Sequence, residues 1–432
     1  MTYRGKILVA VLSAAITFYA FFGIVLGWFS AGAQQPINDP GAQMRIFESV
    51  LQHIQNDYVD EPDLQKVRAG ALRGLAYGLD PYSSYLTADQ VKAFQNRSGN
   101  GKVGIGATFS QFRSYLYVLS VVANSPADKA GLKAGDIIEY IDTRATRDIS
   151  LYDARQLILG APGSALKLRV LRTNAKPATL TVKRGSFEIP AAKVEIKKGG
   201  VGVIKVYSLD KGQAEKIRAQ VQDLKAKGIG KIILDLRNVA IGDIDEGVAV
   251  ANAFIKDGAI AQVIGRENNS KETFNAEPAK HIFDGEVVAI IDLGTAGAGE
   301  IIAAAILENK RGEVVGERSF GAGTKQQLFT LRGGDGLLLT VAKWASGSGK
   351  SFLGDKRSES GVKPSVEVKR PETPEPIEVA ELVEKKEEDP DQPTPADRPS
   401  EAQKRQKPAR EDLQMKKALE LMRGKAKAAG AE

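Results

Sequence analysis

The 432-residue sequence contains no cysteine and only two histidines, His53 and His281. The absence of cysteine excludes disulfide bonds, thiolate zinc sites and a cysteine nucleophile. A histidine-rich metal site is excluded as well, and a Ser-His-Asp triad would depend on one of these two histidines. We therefore expect no metal site and no cofactor.

The sequence also has little excess of charge of one sign, because 60 lysines and arginines stand against 53 aspartates and glutamates. Basic residues are scattered among acidic ones along most of the chain, which is typical of a solvated surface. Hydrophobic residues make up 43% and charged residues 26%, the proportions of a globular protein. The length is sufficient for two or three domains, and no nucleic-acid partner is expected.

One long uncharged hydrophobic run, residues 7–29, is long enough to cross a bilayer as a helix. Arg4 and Lys6 precede it without an acidic residue, which predicts a cytoplasmic N-terminus and an exported body. Small residues around Ala33 favour a cleavable signal peptide as the alternative. We expect residues 1–33 to anchor the protein in the inner membrane, with its body in the periplasm or cell envelope.

The rest of the chain divides into segments of different periodicity, which together predict a multidomain α+β protein. Residues 43–100 have the i, i+3, i+4 apolar spacing of an N-terminal helical unit. Residues 101–187 contain short alternating strands and two short helices, the pattern of a compact β-rich module. Residues 188–369 alternate apolar strands with helices, as in an α/β core. Residues 370–410 are rich in proline and charge and are predicted to be disordered, whereas residues 411–428 regain the stripe of a docked or a solvated helix.

This order of parts resembles the carboxyl-terminal processing, or tail-specific, peptidases, a serine peptidase family with an inserted PDZ domain. The resemblance covers residues 43–369 and rests on the stretches "LDPYSSYL", "GIGA", "SPADKAGLKAGDIIEYID" and "LDLRN". The stretch "DLQMKKALELM" is similar to the family's C-terminal helix. The resemblance implies a PDZ-like module at residues 101–187 and a peptidase-like α/β core at residues 188–369.

The catalytic turn and the lysine loop of the family are altered in this sequence. In the family the turn reads Gly-Ser-Ala-Ser-Ala-Ser-Glu, and its middle serine is the nucleophile. Here the turn is "GTAGAGE" at residues 294–300, with Gly297 at the nucleophile position. The family's lysine base, in a Gly-Lys-Gly loop, corresponds to Ala322, and the glutamine that orients the lysine is retained as Gln326.

The family's oxyanion loop, Arg-Asn-Asn-Pro-Gly-Gly, reads "RNVAIG" at residues 237–242 of this chain. Ile241 stands where the family has a glycine, and a β-branched side chain there is expected to obstruct the backbone geometry that glycine permits. Gly242 retains the second glycine. Since glycine supplies no attacking hydroxyl and alanine no amine, the resemblance implies a site without acyl-transfer chemistry.

The PDZ-like module keeps the parts that bind peptides. The resemblance matches "VGIGA" to the loop whose amides hold a terminal carboxylate, and the next strand can accept a peptide by β-augmentation. The helix "SLYDARQLIL" would form the other wall of the groove. The expected peptide-binding residues are Val103, Gly104, Ile105, Gly106, Ala107, Ala154 and Leu157.

Three functions remain open. The first is a membrane-anchored pseudopeptidase that binds protein or peptide C-termini. The second is a working serine endopeptidase that cleaves near protein C-termini, with substitute groups such as Thr295, Ser319 and Lys325. The third is a scaffold that modulates an active relative. The expected assembly partner is either a second copy of this chain or an active peptidase relative.

Overall fold

The computed structural model describes residues 12–18, 39–96, 103–112, 114–172, 175–268, 270–370 and 411–428. Its helices after the helical stretch 12–18 are α1 (Pro40–Asp57), α2 (Leu64–Tyr77), α3 (Ala88–Gln95), α4 (Pro126–Lys129), α5 (Leu151–Ile158), α6 (Gln213–Ala226), α7 (Ile244–Asn252), α8 (Ala298–Glu308) and α9 (Leu413–Ala428). Its strands are β1 (Ser84–Leu86), β2 (Ala107–Phe112), β3 (Tyr115–Val121), β4 (Ile137–Ile141), β5 (Arg144–Ala145), β6 (Ala165–Leu171), β7 (Ala178–Lys183), β8 (Lys193–Lys197), β9 (Val201–Lys205), β10 (Lys231–Asp235), β11 (Ala259–Ile264), β12 (Ser270–Asn275), β13 (Glu286–Ile291), β14 (Gly312–Gly316), β15 (Thr324–Thr330), β16 (Gly336–Ser346) and β17 (Val366–Glu367).

A mostly parallel sheet forms the centre of the α/β core, with strand order β17-β14-β13-β10-β9-β8. Strands β9, β10, β13, β14 and β17 run parallel, and β8 joins the edge antiparallel. The apolar runs of β10 and β13 are buried almost throughout, as expected when helices cover both faces of a parallel sheet. The predicted α/β core is therefore confirmed.

Alternate residues of the central strands point to two separate hydrophobic cores. Ile232 and Leu234 of β10 pack with apolar side chains of α6, α7 and α8 on one face. Ile233 points to the opposite face, where Ala418 and Met422 of α9 cover the sheet. The C-terminal stripe thus belongs to a docked helix, which decides between the two predicted alternatives.

A second, antiparallel sheet has the order β1-β16-β11-β12, with β15 also paired to β16. Strands β15 and β16 form an antiparallel hairpin across "RGGDG". Strand β1 corrects a prediction, since Ser84 pairs with Leu338 of β16 inside a segment expected to be helical. The segment 43–100 is therefore not a purely helical unit, because "SSYL" supplies a strand to the neighbouring sheet.

The PDZ-like module is a sheet of order β2-β3-β4-β6-β7, with β5 paired to β4. Its core contains fully buried side chains such as Leu116, Ile138 and Leu166, packed with residues of α5. Strand β2 lies at the edge of this sheet, and among the strands that the structure describes it pairs with β3 alone. One side of β2 is therefore available to a further strand.

The N-terminal predictions fall largely outside the described part of the chain. Of the hydrophobic run 7–29 only residues 12–18 are described, as a helix. No helix in the described ranges is both long enough and apolar enough to cross a membrane. The predicted disordered segment, residues 370–410, also lies outside the described residues except for Arg370. The chain divides between Gly70 and Ala71 into two compact units.

Candidate functional site

The glycine-rich turn connects the end of β13 to the start of α8, as the sequence predicts. Gly297 is the N-cap of α8 and has φ 57° and ψ −113°, a conformation that L-residues adopt rarely and with strain. A Cβ atom built on Gly297 would contact only the Cδ1 atom of Ile244, at 3.9 Å. The turn thus has the sharp strand-to-helix geometry of a nucleophile elbow and space for a side chain, but no side chain.

Hydrogen bonds to the core fix this turn. The hydroxyl of Thr295 donates to the carbonyl of Leu236 at 2.9 Å and accepts from the amide of Asp292 at 3.0 Å. The amide of Ala296 donates to the carbonyl of Val239 at 3.0 Å. Thr295 is fully buried and its hydroxyl is engaged by the main chain, so its contacts are those of a structural residue.

Glu300 joins the glycine-rich turn to the loop that contains Ala322. Its carboxylate accepts from the amides of Gly297 at 2.9 Å, Gly321 at 2.6 Å and Ala322 at 3.0 Å. The hydroxyl of Ser319 donates to the same carboxylate. Glu300 is fully buried, and burial raises the pKa of its carboxyl to about 7 although these donors favour the charged form. The side chain therefore acts as a strut between the two loops that the resemblance places at the catalytic centre.

Arg357 supports the same loop from the other side. Its guanidinium donates to the carbonyl of Phe320 at 2.6 Å and to that of Ser319 at 3.0 Å. It also lies over the Phe320 ring, 5.0 Å from the ring centroid. Burial lowers the pKa of Arg357 to about 10, while the charge of Glu300 opposes that shift. A buried cation and a buried acid thus hold the loop in one conformation.

Ala322 borders an apolar cluster between the PDZ-like module and the core. The buried members of this cluster are Phe112, Tyr117, Leu119 and Ile137 of the module and Ala296 and Phe320 of the core. A lysine at this position would be desolvated, which lowers the pKa of an amine. The surroundings are thus those that an uncharged lysine base requires, but the amine is absent.

Gln326 does not reach toward Ala322. Its side-chain amide, on β15, donates to the carbonyl of Tyr82, and the residue is exposed. A register shift between Lys325 and Gln326 interrupts the pairing of β15 with β16. The retained glutamine therefore connects the strand to the segment before β1 in this structure.

The predicted substitute groups do not form a catalytic pair. Lys325 donates to a carboxylate oxygen of Glu272 at 3.2 Å and lies over the Trp344 ring, 5.4 Å from its centroid. The hydroxyl of Thr295 donates to the carbonyl of Leu236. The hydroxyl of Ser319 donates to the carboxylate of Glu300 and accepts from the amide of Val362. None of these recorded contacts joins a hydroxyl to a lysine amine.

The loop that corresponds to the oxyanion loop contains Ile241 and Gly242. Positive φ angles occur at Asn238, 61°, and at Gly242, 145°, but not at Ile241. A Cβ atom on Gly242 would lie 2.5 Å from the backbone of Leu209, so this position requires glycine and has kept it. The carbonyl of Ile241 accepts from the amide of Leu209 at 2.8 Å. The isoleucine therefore does not adopt the positive φ that is open to a glycine, and its effect on an oxyanion site stays a prediction.

A charged network lies at the start of this loop. Arg237 bridges Asp235 at 2.7 Å and Asp412, just before α9, at 2.8 Å. Lys205 donates to Asp235 at 3.1 Å. Burial opposes the ionisation of Asp235, but the hydrogen bonds from Arg237 and the charge of Lys205 outweigh it and hold the pKa of Asp235 below its usual range. These ion pairs fasten the C-terminal helix to the loop.

In the PDZ-like module, the loop before β2 has the polarity of an anion site. Each carbonyl group of this loop accepts a hydrogen bond from an amide of the module. The carbonyl of Val103 accepts from Gly160, that of Gly104 from Gly185, that of Ile105 from Ala127 and that of Gly106 from Val122. For the amides of Gly104, Ile105 and Gly106, no acceptor occurs among the residues that the structure describes. Successive free amides of this kind form a nest for a carboxylate.

Gly106 is required for this loop. Its φ is 78°, and a Cβ atom there would lie 2.3 Å from the Cβ atom of Ser125. Gly131, elsewhere in the module, has a similar φ of 82° but nothing within 4 Å of an added Cβ atom. The loop thus depends on glycine for space as well as for backbone conformation.

The groove wall formed by α5 differs from the prediction at one residue. Ala154 is fully buried in the core of the module and is not an exposed lining residue. Leu157 is partly buried and packs at the margin of that core. Arg155, between them, is exposed and donates to the carbonyl of Phe109 on β2 at 3.1 Å. Arg155 thus makes a hydrogen bond to β2 at the surface, whereas Ala154 is buried in the core of the module.

A parallel sheet with a glycine-rich elbow, joined to an inserted PDZ module with a carboxylate-type loop, defines the class of this protein. Residues 200–368 match the model of peptidase family S41, and residues 117–172 match a PDZ domain model. The chain is therefore similar to the carboxyl-terminal processing peptidases, with the S41 match in the α/β core and the PDZ match in the inserted module.

Individual relatives agree with this assignment. The chain is 29% identical over 367 residues to the "Carboxy-terminal processing protease CtpA" of Bacillus subtilis, covering 85% of this chain and 76% of the relative. It is 28% identical over 334 residues to the "Carboxy-terminal-processing protease" of Bartonella bacilliformis, covering 76% of each. The fold is similar to that of the photosystem II D1 C-terminal processing protease, with a TM-score of 0.64, 24% identity, and coverage of 75% of this chain and 86% of that one.

Proposed function

We propose that this protein is a carboxyl-terminal processing peptidase that has lost hydrolysis and binds protein C-termini through its PDZ domain. The observation that carries the proposal is Gly297 at the elbow, where the turn has the geometry for a nucleophile but no reactive atom. The resemblance places the lysine base at Ala322, which borders an apolar cluster and has no amine. Without hydroxyl and amine, a Ser/Lys dyad cannot form an acyl-enzyme.

Binding is supported by the parts of the scaffold that remain. The free amides before β2, the unpaired edge of β2 and the glycine requirement at Gly106 fit the capture of a peptide's terminal carboxylate. The positive residues before the hydrophobic run 7–29 support a membrane-anchored protein whose body lies in the periplasm or cell envelope. In that compartment it would hold protein C-termini, as an adaptor or as a regulator of an active relative.

Proteolysis is the second candidate function, because the relatives are named as proteases. It would require a nucleophile and a base other than Gly297 and Ala322. The contacts of Thr295, Ser319 and Lys325 weigh against those three as replacements.

A peptide library presented to the full-length protein tests both functions at once. We expect capture of peptides with free, apolar C-termini, loss of at least about tenfold in affinity when the C-terminus is amidated, and no cleavage by mass spectrometry. Gly106→Ala should abolish capture because its Cβ atom collides with Ser125, whereas Gly131→Ala should preserve it. Equal binding of free and amidated peptides, or cleaved peptides, would contradict the proposal.

A further inference from the structure

The outer edge of β2 carries the main-chain groups that a bound peptide would use. In an antiparallel pair, residues two apart direct their backbone groups to the same edge. β2 pairs with β3 on one side only. The carbonyls of Phe109 and Gln111, two residues apart, both accept side-chain donors, and the amide of Val118, which lies opposite Phe109 on β3, donates to Asp136 and not to β2. These are acceptors that an added strand would require.

Arg155 occupies the first of these acceptors. It projects from α5, the opposite wall of the groove, and its Nη2 donates to the carbonyl of Phe109 at 3.1 Å. The side chain therefore crosses the space between helix and strand. Arg155 is exposed at the surface, so its guanidinium can leave this bond for solvent, although the burial that lowers its pKa adds a cost to the exchange.

Tyr82 occupies the second acceptor. Its hydroxyl donates to the carbonyl of Gln111, and its own carbonyl accepts from Gln326 of β15. Tyr82 is buried, with 7% of its surface exposed, and it packs with the core of the PDZ module. Unlike Arg155, it cannot exchange its bond for water without leaving a packed site.

We propose that Arg155 and Tyr82 cap the peptide-binding edge of β2, the first as a displaceable cap and the second as a fixed one. This inference rests on the proposed binding of C-termini. A peptide with its carboxylate at residues 104–106 displaces Arg155 to reach Phe109, and its pairing ends before Gln111. A strand rises about 3.3 Å per residue, so the edge between residue 106 and Gln111 can pair with roughly the last three or four residues of the peptide.

The test is fluorescence anisotropy of the full-length protein with a four-residue and an eight-residue peptide of the same free, apolar C-terminal sequence. Arg155→Met removes the donor but keeps an unbranched chain, and we expect it to bind both peptides about threefold to tenfold more tightly. Arg169→Met is the matched control, since Arg169 on β6 pairs with Glu139 at 3.0 Å and should leave affinity unchanged. Arg155→Met should increase the affinity for amidated peptides by the same factor, because Arg155 competes for a carbonyl of β2 and does not attract the peptide's carboxylate.

Peptide length tests the second cap. In the unmodified protein the two peptides should bind equally, whereas Tyr82→Phe should favour the longer one by about threefold or more. Weaker or unchanged binding by Arg155→Met, or an eight-residue peptide that already binds more tightly to the unmodified protein, would overturn the proposed caps. Failure of every variant to distinguish free from amidated peptides would instead overturn the proposed binding of C-termini, and the caps with it.

Discussion

At the scale of residues, Glu300 is the side chain that organises the candidate site. It accepts from the elbow amide of Gly297 and from the amides of Gly321 and Ala322 in the facing loop. The two loops would carry the nucleophile and the base in an active relative by the resemblance. The strut thus holds the two loops together around Gly297 and Ala322.

Glu300 should make stability depend on pH. Its pKa rises from 4.5 in the unfolded chain to about 7 in the folded protein, so the folded state holds this proton more tightly. The resulting contribution to the free energy of unfolding is fully present below about pH 4.5 and is lost as the pH rises through 7. The loss amounts to roughly 3 kcal/mol, from about 1.4 kcal/mol per pKa unit. Denaturant unfolding between about pH 4.5 and 7 should show this decline in the free energy of unfolding for the unmodified protein. The Glu300→Gln variant cannot ionise at this position and should not show it. Parallel curves for the two proteins would refute the assignment.

The sequence alone predicts Gly297 and Ala322 as the dyad positions because a motif fixes their spacing, and this placement stays a prediction. It could not identify Glu300 as a strut, although its place three residues after the elbow is that of a capping-box acid. Arg357 carries no sequence signal, since its partners Ser319 and Phe320 lie far away in the chain. The expectation about Ile241 stays a prediction, and the positive φ angle of this loop falls on the adjacent Gly242.

At the scale of elements, the sheet faces were predictable but the partners of the edges were not. Apolar runs such as "KIILD" predict a strand buried on both sides, and β10 has this environment. Strand β1 was missed because "SSYL" is too short to show a period, and its pairing with β16 joins residues about 250 positions apart. The helix α9 follows a charged, proline-rich segment, so only the structure could decide that it docks.

Docking of α9 should be measurable at one side chain. Met422 is 1% exposed and packs on the central sheet with Ala418. Met422→Ala should lower the free energy of unfolding by about 2–4 kcal/mol, the range for truncation of a buried side chain. Arg423→Ala, on the exposed face of the same helix, should change stability little. Equal effects of the two substitutions would mean that the helix is solvated.

At the scale of the whole molecule, the PDZ module and the peptidase-like core share one apolar cluster around the site. Tyr117 and Phe112 of the module pack against Phe320 and Ala296 of the core, beside Ala322. A peptide held by the module would, in the proposed function, bind near the elbow at Gly297, which has no side chain. This arrangement unites the proposed binding function with the proposed loss of hydrolysis.

The most direct test of this account is acylation by a serine-directed fluorophosphonate, followed by intact mass spectrometry. We expect no adduct on the unmodified protein. Gly297→Ser with Ala322→Lys should acquire one slowly, because the elbow has space for the hydroxyl and the apolar cluster favours a neutral amine. Gly297→Ser with Ala322→Met should acquire none, since it lacks the base. An adduct on the unmodified protein, accompanied by peptide cleavage, would contradict the central claim.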